Sequence, residues 1–270
     1  MRYTVCMHLR ILGSGTSHGI PVIGCVCRVC RSQDLRDQRM RSSVYIEGAA
    51  GERAVIDTGP EFRLQAVRAG IQRLDGVFLT HAHADHLHGL DDIRPLSRET
   101  PMPVYADANT MEELRERFSY IFKDTQLGGG KPRITPVVVT GPVSVGRLVF
   151  TPIPVKHGVL DILGWKITER QTSAAYLTDV SRIPEMSLPL LYGLSAVIIG
   201  GLRAIPHETH FSFQQALDSA ADLETQRIYL THICHDHTHQ EIEAICRRFQ
   251  QARNFTGTAA PAYDGLKLIL

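Results

Sequence analysis

A chain of 270 residues with 43% hydrophobic side chains carries enough apolar material for one large α/β domain or two small ones. With 29 basic against 28 acidic residues its charge is close to neutral, which gives no support for a surface that coats nucleic acid, and no stretch approaches the roughly 20 apolar residues of a membrane span. The opening residues, Met1 to His8, lack the uninterrupted apolar segment of a secretory signal, so a soluble cytoplasmic protein is expected.

Strand-like and helical patterns alternate along the chain without a long linker or a visible repeat, which favours a single domain over residues 1–270. A first strand at 3–12 runs into Gly13-Ser14-Gly15-Thr16-Ser17-His18-Gly19. That run lacks the Lys-Ser/Thr ending of a P-loop and reads as a tight turn lining a site, with His18 a candidate substrate contact. Three of the six cysteines then crowd together as Cys25, Cys27 and Cys30, a spacing that favours metal over a disulfide framework. They are one thiolate short of a tetrahedral zinc site, and Cys234 or His235 could complete it.

Strands at 43–48 and 53–57, a helix at 61–70 and a strand at 76–80 follow. The last runs into Thr80-His81-Ala82-His83-Ala84-Asp85-His86. His81 and His83, two apart on an extended chain, point the same way, whereas Asp85 and His86 turn off at the start of a helix expected at 86–95. Two neighbouring ligand sets imply two metal ions.

Farther on come strands at 103–106, 134–139, 144–155, 162–168, 174–178, 194–200, 227–232 and 264–270, and helices at 109–122, 184–192, 212–222 and 238–252. Ser212 with Gln215 forms a capping box for one helix, and Asp236 or Thr238 caps the next. The piece Gly128-Gly129-Gly130-Lys131-Pro132 reads either as a connector or as a flap whose Lys131 reaches a substrate phosphate. His157, Asp179 and His232 each close a strand, where an α/β fold tends to place its site. A carboxylate can bridge two cations and an imidazole cannot, so Asp179 is the natural bridge. Asp57, which ends another strand, is expected to shape the turn or to hold a ligand from behind.

His81-x-His83-x-Asp85-His86, followed by His157, Asp179 and His232, resembles the signature of the metallo-β-lactamase superfamily. The resemblance implies an α/β fold, an αββα sandwich of two facing mixed sheets with helices on both outer faces. It implies that His81, His83 and His157 hold one metal and Asp85, His86 and His232 the other, with Asp179 between them. Aspartate at the bridge resembles the phosphodiesterase and glyoxalase branches rather than the antibiotic-hydrolysing one.

Gly-Cys-x-Cys-x-x-Cys near the N-terminus with His232-x-x-His235 late in the chain resembles the narrower PhnP-type phosphodiesterases. That resemblance implies a structural Zn²⁺ on Cys25, Cys27, Cys30 and His235, and Mn²⁺ rather than Zn²⁺ or Fe²⁺ at the catalytic pair. Asp85, from within the ligand set, and His210, ahead of the helix at Ser212, become the candidate catalytic residues, with His207 the alternative to His210. An unperturbed imidazole pKa of about 6.5 suits proton transfer near neutrality.

The expected reaction is attack of a metal-activated hydroxide on a small, cyclic or nucleotide-like phosphodiester. A homodimer is left open, and neither a membrane nor a nucleic-acid partner is expected. The competing readings are a tRNase Z-like nuclease, a glyoxalase II-like thioester hydrolase and a catalytically silent binding protein.

Overall fold

The computed structural model describes residues 6–123 and 130–270. Residues 3–5 of the first expected strand, and Gly128 and Gly129 of the glycine-rich piece, lie outside the described residues.

Two seven-stranded sheets make up the framework. The first is built from β1 (His8–Gly13), β2 (Ser43–Glu47), β3 (Arg53–Ile56), β4 (Gly76–Phe78), β5 (Met102–Ala106) and β6 (Ile134–Val138). The second takes β7 (Val143–Val145), β8 (Leu148–His157), β9 (Leu160–Glu169), β10 (Thr172–Leu177), β11 (Ala196–Gly200), β12 (Arg227–Thr231) and β13 (Thr258–Pro261). The chain then returns to the first sheet as β14 (Lys267–Ile269), antiparallel to β1. Each sheet is antiparallel in one half and parallel in the other: β14 to β3 against β3 to β6, and β7 to β10 against β10 to β13.

Side-chain alternation along these strands builds the layers. In β3, Ala54 and Ile56 face the other sheet while Val55 faces outward to helices. In β11, Ala196 and Ile198 face the sheet-to-sheet core while Val197 and Ile199 face the opposite helical layer. Because both faces of the central strands are covered, they read as nearly unbroken apolar runs.

The outer layer on the first sheet comprises α1 (Phe62–Ala69), α2 (Ala84–Leu87), α3 (Ala108–Arg117) and α4 (Ser119–Phe122), through buried Phe62, Leu87, Leu114 and Ile121. The layer on the second sheet comprises α5 (Leu188–Leu191), α6 (Phe213–Ala221) and α7 (His239–Arg253), through Leu191, Leu217 and Ile242. The result is an αββα sandwich.

Several expected elements change shape in the fold. The strand expected at 144–155 is two strands, because Gly146 turns the chain at φ 57° between β7 and β8. The helix expected at 86–95 is a four-residue turn, α2, followed by a 3₁₀ stretch, Leu90–Ser97, with Pro95 inside it. Gly89 sits so close to the Gly59 carbonyl that a Cβ would lie 1.9 Å from its oxygen. Strand β13 is unpredicted. Its Thr-Ala-Ala-Pro sequence has little strand preference of its own, and parallel pairing with β12 at the sheet edge, where proline is tolerated, supplies the order. The expected capping box of Ser212 with Gln215 forms, and a second box, Thr238 with Glu241, makes Thr238 rather than Asp236 the cap of α7.

Candidate dinuclear metal site

The parallel halves of the two sheets end on one edge of the sandwich, and the candidate ligands stand on the turns there. Asp57 follows β3, His81 follows β4, Asp179 follows β10 and His232 follows β12. Asp57, Asp179 and His232 all take left-handed backbone, at φ 62°, 52° and 55°. Non-glycine residues adopt that region at a cost, and such strain collects at functional sites. The two sheets are tied together at this edge, where the Leu163 amide donates to the Thr80 carbonyl (3.0 Å) and the Trp165 indole to that of Leu79 (3.1 Å).

Two sets of side chains converge there. One contains His81, His83, His157 and Asp179. The other contains Asp85, His86, His232 and Asp179, and within each set the ligand-capable atoms lie within 4.8 Å of one another. Asp179 belongs to both. Its Oδ1 lies 3.2 Å from His86 Nε2 and 3.1 Å from His232 Nε2, whereas its Oδ2 faces His81 Nε2 at 3.8 Å. Asp85 Oδ2 completes the second set, 3.1 Å from His86 Nε2. His83 alone among the histidines of the two sets is exposed, at the solvent-facing mouth.

Hydrogen bonds from behind set the ring orientations. His86 Nδ1 donates to Asp57 Oδ2 (2.7 Å), and His157 Nδ1 donates to the Thr209 carbonyl (2.7 Å), so both present Nε2 lone pairs to the centre. The Thr80 hydroxyl donates to Asp57 (2.8 Å), which leaves its oxygen to accept from His81 Nδ1 (3.0 Å). Asp57, fully buried, therefore orients one histidine of each set, directly in one case and through Thr80 in the other.

Asp57→Asn retains size and tolerates the left-handed backbone, but with its oxygen in the Oδ2 place, toward His86 and the Thr80 hydroxyl, it turns an NH2 toward the Thr80 amide that donates to Oδ1. Divalent-ion affinity is expected to fall by roughly 10–100-fold, measured by chelator competition. Unchanged affinity would refute the orienting role.

The electrostatics favour a cation. Asp57, Asp85 and Asp179 are buried together, and among the described residues no lysine or arginine pairs with any of them; their partners are histidines. Burial opposes ionisation of Asp179, but the His232 and His86 rings outweigh it and hold the carboxyl well below its usual range. Burial, and then the charge of His86, push His81 well below the ordinary imidazole value. Nε2 of His81, His86 and His232 is buried without a hydrogen-bond partner. Orphaned lone pairs beside uncompensated carboxylates are costly unless a cation takes them up, and the donor set fits a pair of divalent ions.

At the cysteine cluster, His235 Nδ1 lies 3.4, 3.5 and 3.6 Å from the sulfurs of Cys25, Cys27 and Cys30. Zn–S bonds of about 2.3 Å and a Zn–N bond of about 2.0–2.1 Å at tetrahedral angles put the N···S edge near ~3.5 Å. The Cys30 amide donates to the Cys27 sulfur (3.4 Å) and lowers that thiol to about 6, toward the thiolate a metal needs. His235, not Cys234, faces the three cysteines. Cys234 lines a neighbouring cavity, its thiol pushed up to about 12 by burial.

The other expected contacts divide. The His210 ring packs between His157 (centroids 4.6 Å) and His232 (4.8 Å, 19° from parallel), with His207 behind it at 5.4 Å. Burial and the adjacent His232 push its pKa down to about 3, so it meets the site as a neutral imidazole. His18 and His207 line one cavity with His210. Lys131 does not act as a free phosphate contact. Its ammonium is taken up by the carbonyls of Tyr120 and Lys123 at the end of α4, where unpaired helix-end oxygens attract it.

Residue-by-residue reading of the chain misses Arg39, a wholly buried guanidinium that donates to the carbonyls of Cys234 (3.1 Å) and His237 (3.4 Å) and so braces the turn bearing His235. It also misses the relay role of Thr80. An arginine amid ordinary polar residues carries no spacing signal.

The family model of the β-lactamase superfamily domain matches residues 52–233. A crystal structure of a diphosphatase from the PhnP family superposes with a TM-score of 0.86 at 40% identity, covering 98% of this chain and 97% of that one. Zn²⁺-bound PqqB from Methylobacterium extorquens, 20% identical, shares the fold with a TM-score of 0.79 over 97% of this chain and all of that one. An octanoyltransferase of Porphyromonas gingivalis is 40% identical over 268 residues, 98% of this chain; the chain spans only about half (52%) of that protein's length. With the αββα layers and the paired His/Asp clusters, these matches make the chain a member of the PhnP family within the metallo-β-lactamase superfamily of hydrolases.

Proposed function

We propose that this chain is a metal-dependent hydrolase that cleaves a P–O bond in a small phosphorylated molecule, a phosphodiester or a diphosphate ester. The observation that carries the reading is Asp179, whose two oxygens face different histidine sets. By this reading His81, His83 and His157 hold one ion, Asp85, His86 and His232 the other, and Asp179 both. Bound there, two divalent cations would lower the pKa of water toward neutrality and neutralise charge on the phosphoryl oxygens. Mn²⁺ is our choice for the pair and Zn²⁺ for the cysteine cluster, because thiolates select zinc and mixed imidazole and carboxylate sets admit manganese.

The protein's own groups do the rest. Asp57 at His86, the Thr80 hydroxyl at His81 and the Thr209 carbonyl at His157 take the outward N–H bonds and leave each Nε2 facing the ions. His210, in ring contact with one residue of each set (stacked on His232, tilted against His157), presents a ring N–H to a phosphoryl oxygen and strengthens that bond as charge builds in the transition state. A donor role suits it better than proton delivery, because a buried ring beside His232 and His157 does not stay protonated at neutral pH.

The diphosphatase relative supports phosphorus rather than a carbonyl as the target. About half of the octanoyltransferase lies outside the match, and its acyl transfer is not carried over.

The test is a panel. Purified, manganese-loaded protein is assayed on bis(p-nitrophenyl) phosphate, a diphosphate ester, S-lactoylglutathione, a chromogenic cephalosporin and a tRNA precursor across a salt series. Turnover of bis(p-nitrophenyl) phosphate or the diphosphate ester, and of nothing else in the panel, is expected. Preferential cleavage of the thioester, the lactam or the tRNA would overturn the reading.

A further inference from the structure

A cavity of about 300 Å³ opens beside the paired clusters and shares His210 with them. Its wall carries Ser17, His18, Arg203, His207 and Asp236. These residues come from two separate loops, the glycine-rich turn after β1 and the segment between β11 and α6, together with the turn after β12.

Arg203 is the informative member. The half-buried side chain makes one internal bond, from Nε to the Ile205 carbonyl at 3.4 Å. No carboxylate lies within ion-pair distance of it among the described residues. Its two terminal nitrogens, four N–H donors in a fork, are therefore left for something that enters the cavity. Asp236, the carboxylate on this wall, is engaged with the Cys234 thiol instead. The backbone at Arg203 is held independently of the side chain, since its carbonyl accepts from the Phe213 amide at 2.9 Å.

Arg203 thus resembles a pre-set phosphate fork. The position of the cavity says which phosphate. The His210 ring is stacked on His232 and lies tilted, at 58°, against His157, so a phosphoryl group held over the two clusters meets the cavity at that one ring. Adjacent phosphoryl groups of a diphosphate share one oxygen, so the second has to lie immediately beside the first. The hydroxyl of exposed Ser17 and the ring of exposed His18, on the facing loop, can donate to the same group from the other side.

Resting on the reading above, we propose that this cavity is the seat of a second phosphoryl group and that Arg203 makes the enzyme selective for diphosphate esters over simple phosphodiesters. Water adds to the phosphorus over the clusters and the bond from that phosphorus to the bridging oxygen breaks. The oxygen departs on the phosphoryl group held by Arg203 and takes up the proton released by the water, so one diphosphate diester and one water give two phosphate monoesters. Arg203 neutralises the charge arriving on that leaving phosphate.

The experiment compares wild type with Arg203→Gln and Arg203→Lys on diadenosine 5′,5″-diphosphate and on the p-nitrophenyl ester of thymidine 5′-phosphate, a diester with one phosphorus. Wild type is expected to prefer the diphosphate. Arg203→Gln should lower its kcat/KM by on the order of tenfold or more, the loss of one charge-assisted fork, and change the simple diester by less than about twofold. Arg203→Lys, a point charge in place of a fork, should recover part of the difference.

Equal losses on both substrates, or none on either, would overturn the subsite. Wild-type activity on the simple diester with none on the diphosphate would overturn it while leaving the proposed hydrolase intact. Inactivity on both would remove the hydrolase reading itself.

Discussion

Asp179→Asn is expected to abolish the proposed hydrolysis and to cost at least one of the two exchangeable divalent ions assigned to the site. The residue sits where no other side chain can substitute for it. Its two oxygens serve the two histidine sets separately, Oδ1 toward His86 and His232 and Oδ2 toward His81. An amide keeps the shape and the tolerance for a left-handed φ of 52°, but it presents a nitrogen bearing two hydrogens to one of the sets. It also removes the charge that balances the cations.

The loss of activity should exceed the ~10–100-fold typical of removing a group that merely orients a ligand, which separates this substitution from Asp57→Asn. Elemental analysis of the dialysed variant together with initial rates on a chromogenic diester checks it, with far-ultraviolet circular dichroism to confirm folding. A variant that kept two exchangeable ions and more than a tenth of its rate would show that the carboxylate bridges nothing.

Loss of the cysteine cluster should act on stability rather than on chemistry. Cys27→Ala removes one corner of the tetrahedron and the acceptor of the Cys30 amide bond. The protein is expected to lose one tightly held zinc, leaving about two ions of about three per chain when loaded. The stabilisation lost should be on the order of 4 kcal/mol where free zinc stands ~1,000-fold above its dissociation constant. Thermal melting with and without added zinc reads this directly.

His235 is three residues beyond His232, and the intervening Ile233 amide and carbonyl bond to Ser14 and Thr16 of the glycine-rich turn. Some activity should therefore be lost as the wall loosens, with KM moving more than kcat. Cys234→Ser is the internal control: it lies beside the cluster but outside it and should retain the zinc. Zinc retained in Cys27→Ala, or lost in Cys234→Ser, would contradict the assignment.

Cys27 stands out in the primary structure for a local reason, as does the histidine cluster, whereas Asp179 is read from its place at the end of a strand. His81, His83, Asp85 and His86 occupy six positions of one strand-to-helix turn, so their relative placement follows from backbone geometry alone. Cys25, Cys27 and Cys30 do the same within one loop. The nearly unbroken apolar runs of β3 and β11 likewise mark strands buried on both faces. Capping chemistry at Ser212 and Thr238 places two helix starts correctly because a cap is a contact over three residues.

What depended on contacts between distant segments was harder to read. Strand β13 has no propensity signal and exists because β12 offers it an edge. The short α2 ends where the His86 carbonyl and the Gly89 amide bond across to Thr58 instead of continuing the helix. Lys131 is drawn to the end of α4, a partner that only the packed chain supplies. The choice between Cys234 and His235, the brace from Arg39, the relay from Asp57 through Thr80 to His81, and the unpartnered fork of Arg203 all join residues tens to hundreds of positions apart.

Composition, periodicity and spacing thus pointed to a mixed α/β chain and to two candidate metal-binding clusters, because those patterns arise within a few residues, and the resemblance to the metallo-β-lactamase superfamily supplied the sandwich and the division of ligands. The packing of sheet on sheet decided which oxygen faces which ring, which buried charge stays uncompensated and which cationic side chain is left unpaired. Those quantities depend on solvent exclusion and on distances across the sandwich, and no local pattern of residues encodes either.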